Sequence, residues 1–374
     1  MNTSIAKDNT YKRVPRNSSI EVVKLLALVL IIFSSVLPYG PTYQGGFDSY
    51  VDIRLAEFSM RNIVYTLFRW CGQFGDALFI VCSAYFLCDS KKFKAPKIYK
   101  MILDSWIISV LGLVTAMLFM SPTFSESLKS LFPITFQRSW FVGCYIIYYL
   151  AHPFINNAVS NLNRAQFRRV VVILFILYSV LTMFGTYYYF TLFVSFICIH
   201  LFVMYNKKYE LFKHSDKKDI ITIVVSLSLI LLWIVGINYL GSRYSFFTSK
   251  TLLFCHYYNP LVIAIALSAL NLAVRRQWKS EFVNKITALS LLIYLFHSSY
   301  FWLTYGKYWI YDRMSELGLP WYVSTFILIV AYVLLIPTIS FLYDITIGKL
   351  TSGVFSKAVG FVMNKIDIML SKII

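Results

Sequence analysis

Apolar residues along this chain gather in long runs, with polar and basic residues confined to the stretches between them. The runs cover roughly residues 20–37, 74–88, 101–120, 140–155, 170–184, 187–205, 220–240, 251–272, 286–303 and 322–342. A helix that crosses a bilayer needs about 20 mostly apolar residues, so the pattern predicts an all-α polytopic membrane protein with about ten transmembrane helices. Some runs are short or interrupted, and about nine to eleven spans fit the same pattern. The longest connections, near residues 39–73 and 121–139, carry aromatic and charged residues suited to folding back over the membrane mouth. The pattern divides the chain into a transmembrane domain at 1–345 and a tail at 346–374. In that tail Leu350, Val354, Ala358, Phe361, Val362, Ile366, Met369 and Ile373 recur at helical spacing with lysines between them. This predicts an interfacial amphipathic helix.

Composition fits the same class. The chain is 58% hydrophobic and only 14% charged, where a soluble domain carries about 25% charge. In a soluble protein a net charge of +18 would point to nucleic acid. Here the lysines and arginines concentrate on alternate connections, which is how a polytopic chain marks its cytoplasmic side. The arrangement predicts that both termini are cytoplasmic and that nucleic acid is not a partner. It leaves Arg61 and Arg69 on an outer connection. The first run follows Lys12, Arg13 and Arg16, as in a signal peptide, but no small-residue cleavage site follows, and it reads as a retained helix. The six cysteines are scattered without metal-ligand spacing, and no metal is expected.

Ionisable residues inside spans are costly and usually face a cavity or a partner. Lys24 and Ser35 lie eleven residues apart, about three turns and about 16 Å along one helix face. Glu21, Lys24, Ala27 or Leu28, Ile31 and Ser35 therefore form a stripe running from the inner surface outward. Such a stripe suits a cavity wall. It equally suits a lysine that snorkels to the cytoplasmic surface and serines that permit close helix packing. Asp76 and Asp104 fall near predicted span ends. His152, His200, His256 and His297 complete the set, with His297 past the membrane midplane. No nucleophile elbow, nucleotide loop or HExxH pattern appears.

Four stretches carry a resemblance. "RNSSIEVVKLLALVLIIFSS" opens the first run, and "DALFIVCSAYFLCDSKKFKAPKIYK" follows the second apolar stretch into a basic loop. "SWFVGCYIIYYLAHPFINN" and "LSLLIYLFH" come later. Together they resemble the acyltransferase-3 family, polytopic bacterial enzymes that move acyl groups onto surface glycans. Arg16, Asn17, Ser18, Ile20, Glu21, Ala27 and Ile31 match the family's opening motif. The departures fall where the chemistry would lie. The family's motif arginine falls on Lys24 and its histidine on Ser35, with Ser34 where many relatives have a second histidine. The glycine of its Ser-Gly-Tyr motif is Ala84.

The resemblance implies an enzyme of the bacterial cytoplasmic membrane that takes acetyl from acetyl-CoA or another acyl-CoA. The acceptor would be a hydroxyl of a cell-surface or lipid-linked glycan, with membrane lipid as the surrounding partner. Ser34, Ser35, Lys24 and His297 are the catalytic candidates. Glu21, Ser83, Tyr85, Trp140 and Tyr145 are the candidates for substrate binding. Lys91, Lys92, Lys94 and Lys97 would hold the donor, although positive-inside signalling alone would place lysines there too. The motif histidine is understood in the family as a base or acyl carrier, roles that need a group titrating near neutrality. A serine hydroxyl without a partner base fills neither. Either another group, with His297 the best placed, supplies the base, or the chain is an inactive relative that binds glycan or serves its export. An unrelated transporter would show inverted repeats, and none is visible.

Overall fold

The computed structural model describes residues 17–38, 52–184, 191–210 and 215–351. Every regular element among them is helical. The tail predicted to be amphipathic, beyond residue 351, lies outside the described residues, as do residues 39–51.

α1 (Ser18–Val36) begins where Asn17 caps it, the Asn17 Oδ1 accepting from the Ser19 amide at 3.0 Å. α2 (Met60–Leu87) starts on a Ser59 cap, and α3 (Ala95–Met117) starts with a proline in its first turn. α4 (Phe124–Leu131) and α5 (Trp140–Ser160) follow, and α6 (Arg164–Phe175) opens on a reciprocal capping box between Asn163 and Gln166. α7 (Thr191–Lys208), α8 (Asp216–Arg243) and α9 (Pro260–Arg275) come next. α10 (Glu281–Ala288), α11 (Ser290–His297), α12 (Lys307–Glu316) and α13 (Trp321–Tyr343) complete the described chain.

Six segments are long and apolar enough to cross a membrane: Ser18–Val36, Met60–Leu87, Ala95–Met117, Arg164–Met183, Asp216–Arg243 and Trp321–Thr351. α9 is a shorter apolar helix. Their outer faces are made of aliphatic and aromatic side chains. On α8, for example, Val224, Leu229 and Leu232 are exposed while Ile230, Ile234 and Ile237 are buried. In water such a surface would aggregate; in a bilayer it is the ordinary face of a helix whose backbone is satisfied internally.

α2 departs from the sequence reading. Its apolar run begins at residue 74, but the helix begins at Met60 and takes in Arg61, Arg69 and Asp76. The first half is aromatic and polar because it is buried in protein: Tyr65 and Trp70 are almost wholly enclosed. Asp76 is therefore mid-helix and buried, and Asp104 is likewise enclosed within α3, accepting from the Tyr343 hydroxyl at 3.1 Å.

α1 packs against α2, α9, α10, α11 and α13, which makes it the central post of the bundle. Its contact with α2 rests on small residues. A Cβ at Gly75 would stand 2.5 Å from the Ala27 carbonyl oxygen and 2.6 Å from Ile31 Cγ1, and one at Gly72 would stand 2.5 Å from Ser34 Oγ. Ala27, Ile31 and Ser34 lie on one face of α1, so the backbones meet as in small-residue membrane packing. The foot of α1 is tied to the loop before α10. Ser18 N donates to the Trp278 carbonyl at 3.0 Å, and the Ser280 amide donates to Ser18 Oγ at 2.7 Å.

The expected outcome of Gly75→Ala is a lower melting temperature for the detergent-purified protein, since a clash with backbone costs about 1–3 kcal/mol. Gly236, whose added Cβ would meet nothing within 4 Å, provides the contrast. Gly236→Ala is expected to leave melting unchanged or slightly raised, because alanine favours helix. Equal melting of the two variants would contradict the close approach.

Candidate functional site

The polar residues of α1 divide between two clusters at its opposite ends. At the N-terminal end, the inner end in the topology expected from the sequence, Lys24 Nζ donates to both Glu21 carboxylate oxygens, at 3.2 and 3.3 Å. The Glu21 side chain is 6% exposed and that of Lys24 is 19% exposed. The pair is i,i+3 on one helix, so each charge is neutralised by a neighbour fixed by the helix itself. Lys24 also lies over the Phe86 ring, 4.8 Å from its centre. Tyr145 reaches the same place from α5, with its hydroxyl within hydrogen-bond reach of Ser83 and near Lys24. Lys97 enters from α3, its ammonium 4.5 Å from the Tyr149 ring centre and 5.7 Å from that of Tyr145. Glu21, Lys24, Ser83, Tyr145 and Lys97 are thus brought together.

Lys91, Lys92 and Lys94 stay exposed on the loop between α2 and α3, where the Lys94 amide donates to the Tyr149 hydroxyl at 3.2 Å. Tyr85 joins another partner: Lys207 Nζ lies 4.2 Å from its ring centre and donates to its carbonyl at 3.0 Å. Beside this region two histidines behave differently. His200 is saturated, with Nδ1 2.7 Å from the Tyr148 hydroxyl and Nε2 2.7 Å from Asn156 Oδ1. Asn156 Nδ2 in turn donates to the Leu87 and Ser90 carbonyls. This chain of bonds holds the end of α2 against α5 and α7. His152 donates from Nδ1 to the Tyr149 carbonyl at 2.6 Å.

At the outer end Ser34 and Ser35 are both engaged. Ser34 Oγ donates to the Arg69 carbonyl at 3.3 Å and accepts from Arg69 Nη1 at 3.4 Å. Ser35 Oγ donates to the Ile31 carbonyl at 2.9 Å, and the Ser35 carbonyl accepts from Lys307 Nζ at 3.0 Å. Arg69 lies within electrostatic range of Asp76, His256 and Lys307. His256 stacks on Tyr258 with ring centres 4.8 Å apart. Asp76 faces Tyr257 and Tyr294 as well, and Trp140 stacks on Tyr257 at 6.0 Å.

His297 is buried at the end of α11. Its Nδ1 pairs with the Ile293 carbonyl at 3.3 Å, and its ring meets Tyr294 edge-on at 5.0 Å. Tyr294 is its link toward Asp76. A cleft of about 400 Å³ between α3, α11 and α13 is lined mostly by apolar groups, among them Ile108, Phe296, Trp302 and Ile339. Among the described residues, no group of three or more His, Cys, Asp or Glu side chains is placed to hold a metal ion.

With this geometry in view, the comparison with protein families is decisive. A family model described as an acyltransferase domain matches residues 17–343. The chain belongs to the acyltransferase-3 family. No curated protein and no solved structure matches it. The family match and the apolar helices together make the chain an acyltransferase-type membrane protein. Within the family's opening motif, Asn17 and Ser18 now have structural reasons for their identity, as the cap and the foot of α1. Asp76 is a candidate in the sequence reading, but set near a span end rather than mid-helix. Arg69 and Lys307 escaped that reading, because α2 looked like loop before residue 74 and Lys307 looked like an ordinary outer lysine. Their one legible signal was charge in an aromatic-rich, low-hydropathy stretch.

Two predictions follow from the clusters. Lys24→Met leaves the Glu21 carboxylate buried without its partner and is expected to cost about 2 kcal/mol of stability. Adding Glu21→Gln should recover most of that loss in a thermal melt, and failure to recover would show that the pair is not coupled. Ser35→His is expected to fold normally, because Ser35 is half-buried. Ser34→His is expected to lower melting strongly, because Ser34 is pressed on Gly72.

Proposed function

We propose that this protein moves a short acyl group, acetyl in the simplest case, from cytoplasmic acyl-CoA to a hydroxyl of a surface or lipid-linked glycan. The observation that carries this reading is the family match over residues 17–343. It is joined by two polar clusters at the opposite ends of α1, about 16 Å apart along the helix. In this reading the inner cluster meets the donor. Lys97, with Lys91, Lys92 and Lys94 on the adjoining loop, supplies positive charge for its phosphates. Tyr145 and Ser83 supply hydroxyls beside Lys24. Lys24 keeps the charge of the motif arginine but not its two-pronged geometry. The outer cluster, with Ser34, Ser35 and the aromatic wall of Trp140 and Tyr257, meets the acceptor. The membrane concerned is the bacterial cytoplasmic membrane, with ten spans and both termini inside.

One observation favours a second reading. Both serines at the motif position spend their hydroxyls on backbone carbonyls, as expected of a relative that has lost its chemistry and binds glycan or assists its export.

Membranes containing the protein, given labelled acetyl-CoA and the host's surface glycan, separate the two. Label in the glycan that depends on the protein, and that falls with Lys24→Met in variants checked for folding, is the expected result. No label above that of protein-free membranes, with the protein inserted and several acyl donors tried, would establish the non-enzymatic reading.

A further inference from the structure

The group that would replace the missing motif histidine need not come from α1. We infer that Lys307, at the start of α12, is the general base of the outer site, acting on the acceptor hydroxyl beside Ser35. This deepens the proposed acyl transfer and rests on it.

The geometry is specific. Lys307 lies 272 positions from Ser35 in sequence, yet its Nζ donates to the Ser35 carbonyl at 3.0 Å. That is the residue on which the family's histidine falls. The amine therefore sits at the last turn of α1, hydrogen-bonded to the backbone of that residue. It is buried, at 7% exposure, while its neighbours Ser35 and Arg69 are half-buried.

The charged and titratable surroundings come from several elements. α1 presents the Ser35 carbonyl, and α2 presents Arg69, which carries the influence on to Asp76. The segment before α9 presents His256 toward Arg69. On its own helix Lys307 lies 5.1 Å from the Tyr308 ring centre, and Tyr308 is near Tyr332 of α13. Burial first, and the Arg69 charge second, push the Lys307 ammonium down to about 7. Lys307 lies outside the six candidate spans. A lysine lowered in this way is neutral in a useful fraction near physiological pH, which is what a base requires. A lysine at its ordinary value near 10.4 would be charged and inert in that role.

The step balances without a further reagent. The acceptor oxygen attacks the carbonyl carbon of an acyl thioester as its proton passes to Lys307 Nζ. The Arg69 guanidinium, held at Ser34, faces the negative charge that develops on the carbonyl oxygen. The carbon–sulfur bond then breaks, and the thiolate takes the proton back from Lys307. The products are an ester and a thiol, and the amine is again neutral.

The test combines turnover with a measurement that needs none. In purified wild-type protein, trace labelling with an amine-reactive anhydride from pH 5 to pH 11, read by mass spectrometry, gives the protonation curve of Lys307. Half-labelling near pH 7 is expected. Half-labelling near pH 10 would overturn the proposal whatever the activity. In the acyl-transfer assay Lys307→Met is expected to lower the rate about 100-fold or more. Lys307→Arg keeps a donor for the Ser35 carbonyl but cannot lose its proton, and it should be equally inactive in protein shown by thermal melt to be folded. Lys250→Met, at an exposed position, should transfer normally. The wild-type rate should fall as pH drops below about 7, following the labelling curve. Transfer that survives Lys307→Met or Lys307→Arg, or that is lost only with His297→Ala, would overturn the role of Lys307 and leave the proposed function standing. No transfer by wild-type protein would overturn both.

Discussion

The close approach of α1 and α2 is the contact on which the remaining geometry depends. Because positions 72 and 75 have no side chain, the two backbones meet across Ala27, Ile31 and Ser34. Arg69 is thereby set beside Ser34, and Asp76 lies on the same helix less than two turns further on. A bulkier contact would separate the helices and take the guanidinium away from the end of α1. In a bilayer, where lipid tails are as apolar as leucine, such packing depends on fit more than on hydrophobic burial. The small residues are therefore as much a part of the outer site as its charges.

The two ends of α1 differ in kind. The inner cluster is a lysine neutralised by a glutamate one turn away, surrounded by tyrosines and a second lysine from α3. The outer cluster gathers two nitrogen donors at the end of the helix, Arg69 on the Ser34 hydroxyl and Lys307 on the Ser35 carbonyl. Lys24 and Ser35, where the resemblance sets the family's arginine and histidine, stand apart from Gly72 and Gly75, the close contacts that hold the helix. Asn17, Ser18, Gly72 and Gly75 keep the post upright. The chemistry can drift while the scaffold stays.

Much of this was legible in the sequence. The long apolar runs announced helices, and most of them coincide with helices in the structure. The family motifs at residues 16–40 and 139–157 located α1 and α5. The stripe from Glu21 to Ser35 lies on one helix, as its spacing required, with Lys24 and Ser35 about three turns apart. The length of α2 was not legible, because a helix enclosed by protein needs no continuous apolar surface. Hydropathy therefore missed Arg69 and misplaced Asp76. Lys307 was hidden for another reason: its partner is 272 positions away, and no local pattern reports a contact of that range. Among the expected donor residues, only Lys97 points into the inner cluster. Lys91, Lys92 and Lys94 lie before α3 begins, where no helix aims their side chains.

The tie between Ser18 and the loop before α10 has a consequence for how the protein is made. α1 is synthesised early, but Ser280, which anchors its foot, follows 262 residues later. At ordinary rates of translation that delay is on the order of tens of seconds. During it α1 must sit in the membrane without its anchor, and with a lysine and a glutamate already inside it. Their pairing within a single turn lets the helix enter lipid with no net charge, before any neighbour exists to receive it. The ion pair at Glu21 and Lys24 is thus complete within one helix and needs no neighbour to form.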